Sequence, residues 1–191
     1  ASFIEFDFIP ITNQITFNYI LASEEYSDGY ECEFTDAFAL LLRRVGTTTY
    51  TNLAVLPNNG GVVSTSNIHP AVNGSNGVCA AVNEQYFGGY NTTNSDTNFQ
   101  GRTIPLTATA TVIPGETYHF KMVIADFSDH QYDTAVFLEA GSFDIGVKIT
   151  DLSGTILPSN LIMCENSQVL KADIQAINAT YKWYFNNVLI I

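Results

Sequence analysis

The sequence predicts an all-β protein whose main body is a jelly-roll-like two-sheet β-sandwich. Three observations predict it. Large apolar residues recur at every second position in run after run, the period of a half-buried strand. Thr (20) and Asn (17) are abundant and 13% of residues are aromatic, which suits pleated strands and the turns between them. No amphipathic stretch at helical spacing exceeds two turns.

Ile4, Phe6 and Phe8 share one face of a first strand that Pro10 ends. Ile15, Phe17, Tyr19 and Leu21 share a face of the second, which runs on into Glu24-Glu25-Tyr26. An acidic loop with Asp28-Gly29 precedes a third strand faced by Phe38, Leu40 and Leu42. Asn52 to Leu56 reads as a short strand closed by Pro57-Asn58-Asn59-Gly60-Gly61, a strong turn signal. Residues 58–101, rich in Asn, Gly, Ser and Thr, read as long loops with short strands. Alternation resumes over Arg102 to Val112 with Ile104, Leu106, Ala108 and Ala110 inward. After Pro114-Gly115, a strand faced by Tyr118, Phe120, Met122 and Ile124 leads to an acidic loop, then to a strand from Ala135 to Ala140. About eight to ten strands before residue 145 fit a sandwich or jelly roll.

Beyond Phe143 the pattern changes. Cys164 is followed 19 residues later by Trp183 inside the aromatic run Tyr181 to Phe185. That is the front half of an immunoglobulin-like pattern, in which the Trp packs beside the Cys. The expected division is 1–145 for the sandwich and 146–191 for the N-terminal part of an Ig-like domain, continued in a longer protein that supplies the partner of Cys164.

Composition and charge exclude several functions. Seven basic residues stand against 19 acidic ones, a net charge of -12. No basic patch exists to neutralise phosphates, so nucleic acid is not an expected partner. The longest apolar runs are far too short to span a bilayer. Enzyme chemistry is not expected either. There is no GxSxG elbow, P-loop or HExxH, and adjacent Glu24 and Glu25 point to opposite faces of a strand and form no glycosidase pair. His69, His119 and His130 lack zinc-ligand spacing, and no CxxC is present.

The acids are concentrated. Residues 24–36 and 126–133 hold nine of the 19 and no Lys or Arg. Glu25 continues the inward series of the second strand, Asp36 shares parity with Phe38, and Asp126 continues Phe120, Met122 and Ile124. Carboxylates on a buried face need a partner, and a hard cation bound by oxygens supplies one. The expectation is a Ca²⁺ site at one end of the sandwich, with Glu25, Asp36, Asp126 and Asp133 as ligands and Glu24 and Asp129 as secondary candidates. In an exported chain, Cys32 and Cys79 are expected to form a disulfide. A second expectation is a sugar-stacking platform of Tyr86, Phe87, Tyr90 and Phe99 in the Asn/Gly-rich region.

Three segments also carry a family resemblance: Tyr19-Ile-Leu-Ala-Ser-Glu-Glu-Tyr26, Phe34-Thr-Asp-Ala-Phe38, and the run from Ile124 through Asp126-Phe-Ser-Asp-His-Gln-Tyr-Asp133 to Phe143. Asn52 to Pro57 and Pro114 to His119 add to it. Together they resemble the choice-of-anchor L domain of large secreted surface proteins, especially of Bacteroidota. The resemblance implies a mosaic exoprotein exported by type IX secretion and attached at the outer membrane, in the company of gliding or attachment adhesins. It transfers no catalytic residues. The function expected is a non-catalytic interaction or display module of a cell-surface adhesin, stabilised by calcium, with a surface glycan or protein as ligand and secretion or anchoring machinery as further partners. The alternative is a carbohydrate-binding module of an exported protein.

Overall fold

The computed structural model describes residues 2–91, 96–125, 132–146, 148–157, 169–173 and 182–190. Among the described residues up to 145, eleven strands are found: β1 (Ser2–Phe8), β2 (Gln14–Ser23), β3 (Ala37–Arg44), β4 (Thr51–Asn52), β5 (Val72–Asn73), β6 (Val78–Cys79), β7 (Phe87–Tyr90), β8 (Gly101–Thr103), β9 (Leu106–Thr111), β10 (Tyr118–Ala125) and β11 (Thr134–Leu138). The chain is all-β, and the only helical segments among the described residues are short 3₁₀ turns.

Two antiparallel sheets face each other. One has the order β1-β10-β3-β4. The other runs β11-β2-β8-β7, and β9 also pairs with β2. Tyr19 pairs with Leu138 of β11 and Leu106 of β9, while Ala22 pairs with Ala135 of β11 and Arg102 of β8. Strands β8 and β9 therefore succeed one another along the same side of β2. Pro105 lies between them, and its missing N–H interrupts the ladder. The single strand expected over Arg102–Val112 is thus two, and Ile104 at the break is exposed.

The core lies between the sheets, and period-two alternation places it. Ile15, Phe17, Tyr19 and Leu21 of β2 are buried against Phe38, Leu40 and Leu42 of β3 and Tyr118, Phe120 and Met122 of β10. Phe17 meets Phe120 edge-on at 5.3 Å between ring centroids, and Tyr19 meets Phe38 at 5.7 Å. Such pairs add to the area buried.

Strand β1 departs from expectation. Ile4 and Phe6 remain 58% and 40% exposed. The strand pairs on one side only, with β10. Phe143 packs edge-on against both Phe6 and Phe8, at 5.6 and 5.3 Å. The strand expected over Asn52–Leu56 is also shorter. Asn52 Oδ1 accepts the N–H groups of both Leu40 and Ala54 at 3.0 Å. A side chain here replaces a ladder bond and turns the chain inward, burying Leu53, Ala54 and Leu56.

The segment after β11 closes back on the start of β2 and the turn before it. Asp144 bridges to Thr16, and Ile11 N–H donates to the Ile145 carbonyl at 3.0 Å. Further on, β12 (Lys148–Thr150) pairs with β13 (Lys171–Asp173). A hairpin joins β14 (Tyr184–Phe185) to β15 (Val188–Leu189). Its two turn residues, Asn186 and Asn187, have φ of 47° and 63°, the signature of a type I′ turn. Trp183 is half-buried. Cys164 lies outside the described residues, so the Ig-like pairing expected of it is not described.

Candidate functional site

Two regions gather the residues of chemical interest. The first is the end of the sandwich where β2 leaves the sheet. Glu25 and Asp36, just outside the ends of β2 and β3, are buried there, 3% and 6% exposed. The Thr65 hydroxyl donates to Glu25 Oε2 at 2.6 Å, and the Asp36 N–H reaches the same oxygen at 3.4 Å. The Glu25 N–H donates to Ser23 Oγ, which also accepts from the Thr134 hydroxyl. Thr134 is thus committed to the interior of the β11–β2 pair.

Glu24 faces the other way. Its Oε2 accepts the Asp133 N–H at 3.2 Å, and its own N–H donates to the Asp133 carbonyl at 3.0 Å. Asp133 is exposed. The six expected calcium ligands therefore divide. Glu25 and Asp36 meet inside, Glu24 and Asp133 meet outside, and Asp126 and Asp129 lie outside the described residues. Among the described residues, no group of three or more His, Cys, Asp or Glu is arranged to hold a metal.

The second region is the largely irregular layer of residues 57–91 and 96–100. Its order comes from side-chain amides. The Asn83 amide donates to the carbonyls of Gly60 and Asn67 and to Asn67 Oδ1, all within 3.1 Å. The Asn67 amide donates to the carbonyls of Gly60 and Val62 at 2.7 Å. In this network amide side chains satisfy backbone groups that no sheet reaches. His69 is 2% exposed, and its Nδ1 meets the Pro70 carbonyl at 2.8 Å. A carbonyl can only accept, so this nitrogen carries the proton.

A disulfide welds this layer to the sandwich. Cys32 and Cys79 are joined with Cα atoms 5.8 Å apart. Their segments touch through glycine. A Cβ on Gly74 would collide with the Asp28 carbonyl and the Gly29 nitrogen, and one on Gly77 with the Gly29 carbonyl. Gly29 itself has φ of 93°, a left-handed conformation that suits glycine.

Beside this weld lies a pocket of about 320 Å³ walled by Tyr26, Asp28, Glu31, Asn73 and Tyr90 among others. Tyr26 is buried, and its hydroxyl donates to the Ile68 carbonyl at 2.8 Å. Tyr90 is 47% exposed, and its hydroxyl donates to Glu31 Oε1 at 3.1 Å. Glu31 is 1% exposed, and its Oε2 has no hydrogen-bond partner among the described residues. Burial, with Glu31 nearby, pushes the Tyr90 phenol up to about 12. Burial, then Glu31 and Glu25, raises Tyr26 as well. Both phenols stay protonated at neutral pH.

The four aromatics expected to form a stacking platform are dispersed. Tyr86 and Phe87 pack against the core. Phe87 sits between Tyr26 and Tyr90, at 5.2 and 4.9 Å. Phe99 packs edge-on to Phe137 of β11. Only Tyr90 of the four is exposed. Sequence reasoning counted Glu31 among the acids of its loop but did not single it out. It sits in a 3₁₀ turn, Tyr30–Cys32, where strand parity says nothing about burial.

No helix among the described residues is long and apolar enough to cross a membrane. No curated protein and no solved structure matches the chain. The model of one family, the Choice-of-anchor L domain, matches residues 1–144 of the 191. The chain belongs to the choice-of-anchor L domain family and is a cell-surface associated module.

Proposed function

We propose that this domain is a non-catalytic interaction module of a large secreted adhesin, and that the loop layer of residues 57–91 and 96–100 is its binding face. The observation that carries the reading is the weld between that layer and the acidic loop. A disulfide, the contacts at Gly29, Gly74 and Gly77, and the Asn67–Asn83 network hold irregular, exposed chain in one shape on a rigid sandwich. Loops so positioned are where binding residues concentrate, and pre-ordering lowers the entropy lost on binding. Export by type IX secretion, outer-membrane attachment and a role in gliding or attachment belong to the same reading, as does an Ig-like unit beyond residue 145.

The test is binding. The full chain is offered to an array of purified cell-surface and extracellular proteins and to a glycan array. Saturable protein binding supports the reading. Saturable sugar binding instead supports a carbohydrate-binding module, which the exposed Tyr90 ring favours. Turnover of any bound ligand contradicts both.

Calcium is the second part of the proposal. Glu25 and Asp36 provide buried carboxylates, a hard oxygen donor set of the kind Ca²⁺ takes. Two carboxylates are fewer than the roughly six to eight oxygens the ion requires, so other donors must complete the shell. Binding that favours the folded state stabilises it by mass action, about 2.7 kcal/mol at a hundred times Kd. The melting temperature is expected to fall by about 5–10 °C in EDTA and to recover with CaCl₂ but not with NaCl. An EDTA-insensitive melting temperature contradicts the calcium reading and leaves the interaction reading standing.

A further inference from the structure

We propose that the pocket between Asp28, Asn73 and Tyr90 binds a primary ammonium group, presented by a lysine side chain of a protein partner, with Glu31 as its charged anchor. The inference deepens the interaction reading and rests on it only for the source of the lysine. The ammonium chemistry rests on the pocket.

The pocket holds a carboxylate in need of a donor. Glu31 is 1% exposed, Oε1 takes the Tyr90 hydroxyl, and Oε2 has no partner among the described residues. A buried acceptor left unsatisfied is costly, more so when charged. Asp28 stands at the rim with an exposed side chain that makes no hydrogen bond or ion pair among the described residues. No Lys, Arg or His lines the pocket.

The donors of the wall decide between ligands. Both tyrosine hydroxyls are spent, Tyr26 on the Ile68 carbonyl and Tyr90 on Glu31. Among side chains, that leaves Ser27 and Asn73 to donate. A sugar hydroxyl both donates and accepts, so a sugar would find few partners for its own oxygens. An ammonium carries three donors and no acceptor, which matches a wall of acceptors. A divalent cation could also meet the two carboxylates of this pocket, and the CaCl₂ comparison below separates it from an ammonium.

Size and field agree. About 320 Å³ is near the lower end for small-ligand pockets, suited to one side chain rather than an oligosaccharide. The half-exposed Tyr90 ring offers a face for the alkyl stem and for a cation–π contact. The net charge of -12 draws cationic ligands toward the domain. Tyr90 covers Glu31, so the ligand reaches Oε2 once that ring tilts. Gly88 and Gly89 precede it, and the β7–β8 register shifts at this point.

The experiment is an NMR titration of the full 191-residue chain with Nα-acetyl-lysine methylamide. Its Nζ-acetylated form, methyl glucoside and CaCl₂ serve as comparison probes. Saturable shifts are expected at Asp28, Glu31 and Tyr90 with the lysine probe alone, and they weaken as NaCl is raised. Glu31→Gln is expected to weaken binding at least about tenfold, as loss of a buried charged partner does. Tyr90→Phe frees Oε1 and is expected to retain binding, so it carries the test should Glu31→Gln fail to fold. Absence of saturable shifts, equal binding of the acetylated form, binding of methyl glucoside instead, or loss of binding in Tyr90→Phe overturns the site. Binding of the lysine probe with no protein ligand on the array overturns the interaction reading alone. A protein ligand without lysine binding overturns this site alone.

Discussion

Replacing Cys32 and Cys79 by Ala is expected to lower stability by about 4 kcal/mol, the chain-entropy value for a cross-link of this span. The two cysteines are 47 residues apart. That segment contains β3, β4, the buried Leu53, Leu56, Val63 and Ile68, and the first half of the loop layer. Without the cross-link, the unfolded chain regains the freedom of the whole loop. For a chain of this length the melting temperature is expected to fall by about 8–16 °C. Differential scanning calorimetry of the double variant, against the parent with and without reductant, checks it. The effect is local as well as global. The segments of residues 72–79 and 26–32 contribute little to the core beyond Tyr26 and are joined by the disulfide and the close contacts of Gly29, Gly74 and Gly77. Hydrogen exchange in the variant is therefore expected to rise first at residues 72–79 and 26–32, ahead of β2, β3 and β10.

Gly74→Ala is expected to cost about 3 kcal/mol, the upper part of the range for overpacking. The added methyl meets backbone rather than a side chain: the carbonyl of Asp28 and the nitrogen of Gly29. Neither can rotate away. Asn76 N–H also donates to the Asp28 carbonyl at 2.9 Å, and the substitution forces that bond apart. Gly115→Ala makes a comparison, since a Cβ there meets nothing within 4 Å and the penalty is limited to its φ of 83°. Chemical denaturation of the two variants is expected to separate them by about 2 kcal/mol. The Gly74 variant also parts the segments that wall the pocket, so its ligand affinity is expected to drop while Gly115→Ala leaves it unchanged.

The division between what the sequence reveals and what it conceals comes from local geometry. In β2, β3 and β10 alternation places every large residue correctly, because a strand fixes side-chain direction at period two. Glu25 and Asp36, just outside the ends of β2 and β3, are buried as expected, but contacts such as the Thr65 hydroxyl on Glu25 hold them there rather than strand geometry. The family resemblance rests on segments of these strands and the loops they lead into, and the family match covers them. Parity fails where the chain leaves the extended conformation. Asn52 turns the chain by accepting two backbone N–H groups, and nothing in its neighbours announces that. Glu31 lies in a 3₁₀ turn and is buried by Tyr90, 59 residues away. Phe87 and Phe99 share a loop region in sequence yet pack on different partners. Such contacts depend on tertiary closure and leave no periodic trace. The exposed flank of β1 shows a different limit. Alternation there reports only one covered face, and what covers it depends on the number of layers stacked above.

In the interaction reading proposed above, partner binding falls on the welded loop layer. The decisive measurement is binding of the full chain to a protein ligand identified on the surface-protein array, made with two substituted forms of equal melting temperature. One carries Asp28→Ala and Tyr90→Ala on the loop face. The other carries Glu5→Ala and Ile4→Ala on the exposed flank of β1. Loss of binding in the first and retention in the second is the expected result. Retention in the first with loss in the second, or no saturable ligand for the unsubstituted chain, shows that the loop layer is not the binding face.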